Sequence, residues 1–557
     1  MLDVVYEEAE RLLRGAMAEA GAEAEPALQE PRAGYGDLAS SACFTLARKL
    51  GRAPAELAEE LAGKIELSSA RFISAVEALN GFINFHFNYS ELARATIERV
   101  AAEGERYGSG GRRGRIILEH TSANPDGPLH IGHGRNAAIG DSLARILRFS
   151  GYEVETEYYL NDMGRQLAVV VLGLRRLKLD TSLKQDHAIA KVYVEASRMV
   201  EESEELQAEL SELMRAYEAG DESTVREFRE AAEYCMQGIR ETLQRLGVSH
   251  DLTVWESEFV RSGEVERVLE RLSSSPCARQ EEVLYLDLSG FGIDKELVLR
   301  RSDGTMLYAT RDIAHHLWKA ERGRMINVWG ADHKLLAEQL GAVMRILGAP
   351  EPEFVIHEFI TLPGGSMSTR KGRFISMDEL LDEAAARALQ EVERRRGEKD
   401  EAFRRRVAEQ VAVGAVRYAM VRVAPEKHVK FRWEEVLDFE RQGAPFIQYA
   451  HARACRILEK AELPERFEVG ELSQDERRLV KLVAAMPVTV DRAAEELKPS
   501  LLAAYLLELA TAFHSFYSSV RVLGSESEAF RLRLVQAVKT ALANTMRLLG
   551  IPVLEEM

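Results

Sequence analysis

The feature that most limits what this chain can fold into is a junction between a strand and a helix. Arg115-Ile116-Ile117-Leu118-Glu119 reads as a short apolar strand, and the loop after it carries Pro125 and Pro128. Pro128-Leu129-His130-Ile131-Gly132-His133-Gly134 then opens a helical run that takes in Leu143, Ile146 and Leu147 and ends near Gly151. A second strand at 154–159 completes a strand–helix–strand unit. Units of this kind begin doubly wound, Rossmann-type folds, in which ligands sit at the carboxyl ends of the strands beside a helix N-terminus. Gly132 lets a ligand approach the backbone closely, and the helix start offers N–H donors and positive potential to a phosphate. Two histidines add donors for the same anion. At this chain's composition a chance His-Ile-Gly-His has a probability on the order of one in a thousand, so the motif points to nucleotide phosphates.

At 557 residues the chain exceeds the roughly 250 to 300 at which a single core stops growing, so several domains are expected. The first, 1–110, reads as α+β. Helical periodicity from Tyr6 to about Leu61 is broken by a turn at 31–37, and a strand covers 80–87. Alternation along that strand puts Ile83, Phe85 and Phe87 on one face and Phe82, Asn84 and His86 on the other. The glycine-rich stretch 104–114 reads as a linker. The second domain, 111–396, carries the junction. Within it 165–280 is helical, charged and insertion-like, and strands return at 283–287 and 324–329 as the sheet resumes. The third, 397–557, has nearly unbroken helical periodicity and reads as an all-α bundle.

Several function classes are excluded. No apolar stretch reaches the ~18 to 20 residues of a membrane span, and the N-terminus lacks the basic and apolar regions of a secretory signal, so a cytoplasmic protein is expected. Cys43, Cys235, Cys277 and Cys455 are scattered singly, which offers neither a redox pair nor a zinc knuckle and reads as buried small hydrophobes. A net charge of −17 is wrong for a protein that coats nucleic acid indiscriminately, so any RNA partner must be met on local patches.

A second motif lies downstream. Ser366-Met367-Ser368-Thr369-Arg370-Lys371-Gly372 follows Pro363-Gly364-Gly365 and is closed by Ser376-Met377-Asp378-Glu379, a capping box that opens the next helix. His130 to His133 and this basic loop resemble the HIGH and KMSKS signatures of class I aminoacyl-tRNA synthetases. Three further segments are similar to the arginyl-tRNA synthetases: Glu119 through Pro128, Tyr308-Ala309-Thr310-Arg311-Asp312-Ile313-Ala314, and Phe446-Ile447-Gln448-Tyr449-Ala450-His451-Ala452-Arg453. The resemblance covers essentially the whole chain.

That resemblance implies activation of L-arginine by ATP, with Mg²⁺ as the counter-ion, and transfer to the 3′ end of tRNA(Arg). It implies catalytic roles for His130, His133, Arg370 and Lys371, with Gly132, Met367 and Ser368 joining them against ATP. Ser366 and Thr369 stand where the signature usually has lysines, so the positive charge falls to Arg370 and Lys371. Some relatives place a lysine just before HIGH, where this chain has Gly127. The arginine site is implied to be Glu119, Asn124, Tyr308, Asp312 and Gln339, which suits a guanidinium, whose fixed fork of donors a carboxylate accepts in bidentate fashion. Such a site rejects lysine or citrulline by leaving buried polar groups unpaired, so no editing domain is expected. Asn80, Phe82 and Asn84 are implied to meet the tRNA elbow, and Tyr449, Arg453 and Met557 the anticodon. A monomer, tRNA-dependent activation and the 2′-hydroxyl as acceptor complete the implied picture.

Overall fold

The computed structural model describes residues 1–32, 34–302, 306, 308–361 and 375–557. Its centre is a five-stranded, all-parallel sheet. Numbered within that domain, the strands are β1 (Arg115–Glu119), β2 (Glu153–Leu160), β3 (Leu252–Trp255), β4 (Arg324–Gly330) and β5 (Glu353–His357), in the order β5-β4-β1-β2-β3. The helix after β1, α1 (Ile131–Phe149), is buried along most of its length and returns the chain for β2 to pair with β1. Parallel strands buried on both faces read as continuous apolar runs, and Ile116, Ile117 and Leu118 are all fully buried. The register interrupts this apolar pattern at one level: Asn327 of β4 pairs with Glu119 of β1, and Glu119 pairs with Glu157 of β2. These three polar side chains therefore form a row across adjacent strands, level with the carboxyl end of β1.

Two expectations about this domain are corrected. The helical insertion ends earlier than residue 280: its helices are Arg165–Leu174, Gln185–Glu201, Glu204–Glu218 and Glu222–Arg245, after which β3 rejoins the central sheet. The strand expected at 283–287 is Leu284–Leu286, and it lies in a separate antiparallel sheet with Ala278–Gln280 and Leu297–Arg300. Leu284 and Leu286 are buried while Tyr285 between them is half-exposed, the alternation of a sheet with one wet face.

The N-terminal domain is α+β, with strands where only helix was expected. Leu28–Gln29, Leu38–Ser40, Ile73–Leu79 and Phe82–Phe87 form one antiparallel sheet beside the helices Leu2–Glu19, Ala42–Leu50, Pro54–Lys64 and Tyr89–Glu103. Asn80 and Gly81, expected inside a strand, form the two-residue turn of a hairpin; both have positive φ (51° and 84°), which Asn-Gly tolerates best. Ile83, Phe85 and Phe87 face the core, as the alternation predicts. The stretch read as a linker is fastened instead. Tyr107 is fully buried and donates its hydroxyl to Val483 O (2.8 Å), and the Asn544 amide donates to the carbonyls of Gly104 and Tyr107 (3.1 Å each).

After α4 (Met377–Arg396) the chain is helical: Glu401–Val421, Ala444–Leu458, Gln474–Glu495, Pro499–Ser519 and Glu528–Leu548. Fully buried Arg417 ties this bundle to the central domain. Its guanidinium donates to Asp141 of α1 (2.5 Å), Leu246 O at the end of the insertion (2.7 Å) and Leu549 O (2.9 Å). Cys43, Cys235 and Cys455 are buried and Cys277 is half-exposed; all four are free thiols. Among the described residues no helix is long and apolar enough to cross a membrane.

Candidate active site

His130 is the N-cap of α1, and its ring nitrogen Nδ1 accepts from the main-chain N–H of His133 (3.1 Å), while His133 Nδ1 accepts from the N–H of His130 (3.4 Å). This reciprocal capping box uses imidazoles where serine and glutamate usually serve. It stacks the two rings 3.6 Å apart and 9° from parallel. Because each Nδ1 accepts, each neutral ring carries its proton on Nε2, the donor a phosphate oxygen needs. Burial lowers the pKa of both, and the neighbouring His130 and His357 help push His133 down to about 3, so the pair works as neutral donors. Gly132 lies under the stack: a Cβ there would sit 2.8 Å from His130 Cε1.

One turn along α1, Asn136 braces the loop that leaves β1. Its Oδ1 accepts from Thr121 N–H (2.6 Å), and its Nδ2 donates to Val328 O (2.7 Å) and lies 3.2 Å from His357 Nε2. Thr121 and Ser122 are held at φ 72° and 40°, a left-handed backbone that non-glycine residues adopt at a cost of order 1 to 3 kcal/mol each. Strain concentrated in the turn beneath a ligand cleft is characteristic of functional sites.

The second signature loop falls at 362–374, so Met367, Ser368, Arg370 and Lys371 lie outside the described residues. Both segments that flank it are fastened to the histidine turn. On the far side Ser376 forms a bridge with His130, Met377 donates its N–H to Leu129 O (2.7 Å), and the capping box expected of Ser376 and Glu379 is formed. On the near side Ile360–Thr361 pairs with Val429–Lys430, and Arg135 of α1 spans both. Fully buried and without a carboxylate partner among the described residues, Arg135 donates to five carbonyls, those of Glu358, Phe359, Ala424, Pro425 and Lys427. Asp378 ties the helical insertion to the same place: it accepts from Lys184 Nζ (2.7 Å), His187 Nε2 (3.0 Å) and Thr242 Oγ1 (3.0 Å).

Beside the histidine turn lies an acidic pocket roofed by α2 (Tyr308–Ala320). Asp312, His315, His316 and Lys319 recur at helical spacing on the face turned toward the polar row. Glu119 is buried; its Oε2 accepts from Lys319 Nζ (2.7 Å) and its Oε1 from Ser122 Oγ (3.2 Å). Asp312 has no side-chain hydrogen bond or ion pair among the described residues, and burial together with Glu256 and Glu119 raises its pKa well above the usual carboxylate range. Glu256 is itself paired with Arg311 (2.8 Å). Tyr308 opens the helix largely exposed, and Asn124 donates to Gln166 Oε1 (2.7 Å). Gln339, on α3 (Lys334–Ile346), points its amide nitrogen at the carbonyls of Lys295 (3.0 Å) and Glu296 (3.3 Å) and braces the smaller sheet.

On the RNA side, Phe82 packs edge-on against Phe44 near the hairpin turn at Asn80. Asn84 is only 3% exposed: the turn at Gly36 and Asp37 covers it, so its side chain is not presented to a ligand. In the C-terminal bundle Tyr449, Arg453 and Met557 meet around one cavity of about 350 Å³. Arg453 is sandwiched between the rings of Tyr449 (4.5 Å) and Tyr517 (4.1 Å), and its guanidinium also bonds His514. Gln448 and His451 hold the chain's last turn against this cavity, through Pro552 O (2.9 Å) and Leu554 O (2.8 Å).

Sequence reading missed Lys319, Glu157, His315 and Tyr517. Lys319 was within reach, being seven residues from Asp312 on the same helical face; Glu157 becomes visible only once strand register is known.

Comparison with known proteins agrees with this geometry. Residues 96–433 match the family model for the class I (R) tRNA synthetase catalytic domain, 447–557 the DALR anticodon binding domain, and 7–87 the arginyl tRNA synthetase N-terminal domain. The chain is similar to an arginine–tRNA ligase of Methanococcus maripaludis, 48% identical over 95% of this chain and 96% of the relative. One from Methanothermobacter thermautotrophicus is 48% identical over the full length of both. Among solved structures it resembles the Thermus thermophilus arginyl-tRNA synthetase, with a TM-score of 0.86, 30% identity, and coverage of 98% of this chain and 99% of that one.

Proposed function

Since this chain belongs to the arginyl-tRNA synthetases, a family of class I aminoacyl-tRNA synthetases, we propose roles for its individual residues in the family's reaction. The reaction is the ATP-dependent joining of arginine to tRNA(Arg). The observation that carries our assignment is the meeting, at the carboxyl ends of β1 and β2, of a stacked-histidine helix N-terminus with a buried acidic pocket.

In this reading the substrate guanidinium enters between Asp312 and Glu119, with Tyr308 and Asn124 at the rim. Asp312 is the carboxylate that lacks a paired cation among the described residues, so it gains most from the substrate. Gln339 acts through the 295–296 segment it braces. The arginine carboxylate then attacks the α-phosphorus of ATP. The bond from that phosphorus to the bridging oxygen breaks, and pyrophosphate leaves. Nε2–H of His130 and of His133, with the N–H groups at the start of α1 around Gly132, stabilise charge moving toward the leaving group; neutral donors arranged in advance suit this task. Arg370 and Lys371, with Met367 and Ser368, meet the outer phosphates. A terminal ribose hydroxyl, the 2′-hydroxyl, attacks the adenylate carbonyl and releases AMP.

Mg²⁺ enters this reading as the counter-ion of ATP, held by phosphate oxygens and water. The two described clusters that could hold a metal, Glu119 with Glu157 and His315, and Asp186 with His187 and Asp378, do not fit it. Each already holds an ammonium, Lys319 Nζ 2.7 Å from Glu119 and Lys184 Nζ 2.7 Å from Asp378.

On the RNA side, Asn80 and Phe82 face the tRNA elbow, and Tyr449, Arg453 and Met557 take an anticodon base. Stacked aromatics beside a guanidinium suit a splayed base. Domain limits of 1–110, 111–396 and 397–557 and a cytoplasmic monomer complete the proposal; one chain supplies every residue assigned. ATP–pyrophosphate exchange with each of the twenty amino acids, with and without tRNA, tests it. Exchange with arginine alone, and only with tRNA present, is expected. Exchange with arginine lacking tRNA removes the proposed dependence, and exchange with another amino acid removes the roles given to Asp312 and Glu119.

A further inference from the structure

The arginine pocket contains a charge problem that its own residues must solve before any substrate arrives. In-register pairing of β1 with β2 sets Glu119 beside Glu157, with carboxylate oxygens within 4.8 Å of one another and both side chains buried. Two carboxylates at such a distance in a dry site do not both stay ionised unaided; one takes up a proton. If that were Glu119, the pocket would face a guanidinium with a neutral acid.

Lys319 occupies the point where the two carboxylates converge. Its Nζ, fully buried, lies 2.7 Å from Glu119 Oε2, 2.7 Å from Asn327 Oδ1 and 3.5 Å from Glu157 Oε1. An ammonium has three N–H donors, and here it meets three acceptors, one from each of three adjacent strands. We propose that Lys319 is a specificity-determining positioning residue: held in place by Asn327, its ammonium neutralises one of two carboxylates that adjacent strands force together, so that Glu119 keeps its charge and aim for the substrate guanidinium. This inference rests on the assignment of Glu119 to the arginine pocket.

The surroundings agree. Burial alone would raise Glu119, but Lys319, His315 and His316 hold it below the usual carboxylate range, whereas burial raises Glu157 despite the same ammonium. Glu157 is thus the member of the pair that carries the strain of proximity. Its Oε1 lies 3.1 Å from His315 Nε2, and His315 stacks on Tyr159 of β2, with ring centroids 4.2 Å apart. Asp312 on α2 also faces Glu119, and the Arg322 guanidinium acts on Glu157; among the described residues no cation lies nearer Glu119 than Lys319.

The test compares Glu119→Gln, Lys319→Met and the double variant Glu157→Gln/Lys319→Met in arginine-dependent pyrophosphate exchange with tRNA, from pH 6 to 9, with thermal unfolding followed in parallel. Lys319→Met is expected to raise the KM for arginine on the order of a hundredfold at neutral pH, with the KM for ATP little changed. That KM should fall as pH rises, because Glu119 recovers its charge. The double variant, which removes one positive and one negative charge together, should restore the arginine KM to within about tenfold of wild type. A raised arginine KM that does not vary with pH, or a double variant as impaired as the single one, overturns the proposal by making Lys319 a packing residue. If Lys319→Met does not fold, the double variant decides against Glu157→Gln alone: an arginine KM within about tenfold supports the proposal and a hundredfold rise overturns it. Glu119→Gln separates the two levels. No change there removes Glu119 from the pocket; a raised KM there with none in Lys319→Met overturns the inference alone.

Discussion

Replacing Arg135 with lysine keeps the charge in α1 but changes the number and reach of the donors. The guanidinium serves five carbonyls, two before the second signature loop (Glu358 and Phe359) and three on the segment that pairs with it (Ala424, Pro425 and Lys427). An ammonium has three N–H groups, so at least two of the five bonds are lost, although Phe359 O, Ala424 O and Pro425 O each keep a main-chain N–H donor, from Val429, Lys427 and Glu358. At about 0.5 to 1.5 kcal/mol net for each hydrogen bond lost, the loss is about 1 to 3 kcal/mol. It falls on the segment that leads into the loop and on its pairing partner, while the Glu119–Lys319 row lies elsewhere. If as little as about 1.4 kcal/mol appears as misplacement of that segment, the KM for ATP rises tenfold. Pyrophosphate exchange titrated separately in ATP and in arginine reads this directly, with arginine KM expected to stay within about twofold. A lowered melting temperature with an unchanged KM for ATP would refute the argument, since Arg135 would then hold only the fold together.

Three further outcomes are expected. His133→Ala should leave the melting temperature nearly unchanged but slow adenylate formation by about 100-fold or more, the scale of losing one oriented donor to a leaving group; an unaltered single-turnover rate removes that histidine from the mechanism. Arg417→Leu should destabilise the protein by about 3 to 5 kcal/mol, with Asp141 keeping Arg145 (2.8 Å), and hydrogen exchange should show the amides near Leu246 and Leu549 losing protection. The hydrogen bond to Asp378 raises the pKa of His187, so the stability it contributes is fully present below about pH 6.5 and is lost as pH rises through the raised value. Asp378, held down to about 2 against burial by His187 and Lys184, stays ionised throughout that range. The melting-temperature difference between wild type and His187→Gln should therefore shrink from pH 6 to pH 8.5, and a constant difference would exclude the ion pair as its cause.

What could be read from sequence was whatever the chain encodes locally. The run 115–119, the proline loop and the histidine turn were legible because an apolar strand, a breaker and a helix cap are each contained in a few residues. The capping box at Ser376 was legible for the same reason. Leu252–Trp255 was not: four residues become a strand of the central sheet only because β2 is there to pair with them. Asn84 shows the limit from the other side. Period-two alternation placed it correctly away from the core face, but its burial depends on a turn some fifty residues earlier. The polar row is the sharpest case, since Asn327, Glu119 and Glu157 are brought level by register alone, which the sequence of any one strand does not state. The glycines at 104–114 misled in the opposite direction: composition suggested slack, whereas Tyr107 pins the segment to the bundle.

The bolt at Arg417 also fixes an order of events during synthesis. Asp141, Leu246, Arg417 and Leu549 must all be present before the guanidinium is satisfied, and Ser142 of the same helix waits for Leu549 as well, a separation of 407 residues. Chains emerge N-terminal end first, at about 5 to 20 residues per second, and long-range contacts cannot form before their later partner exists. The helix that carries the two histidines therefore stays incompletely packed for most of translation and is finished only when the last helix docks. A chain cut short before Leu549 therefore leaves Arg417 and Ser142 each without an acceptor that the finished fold supplies.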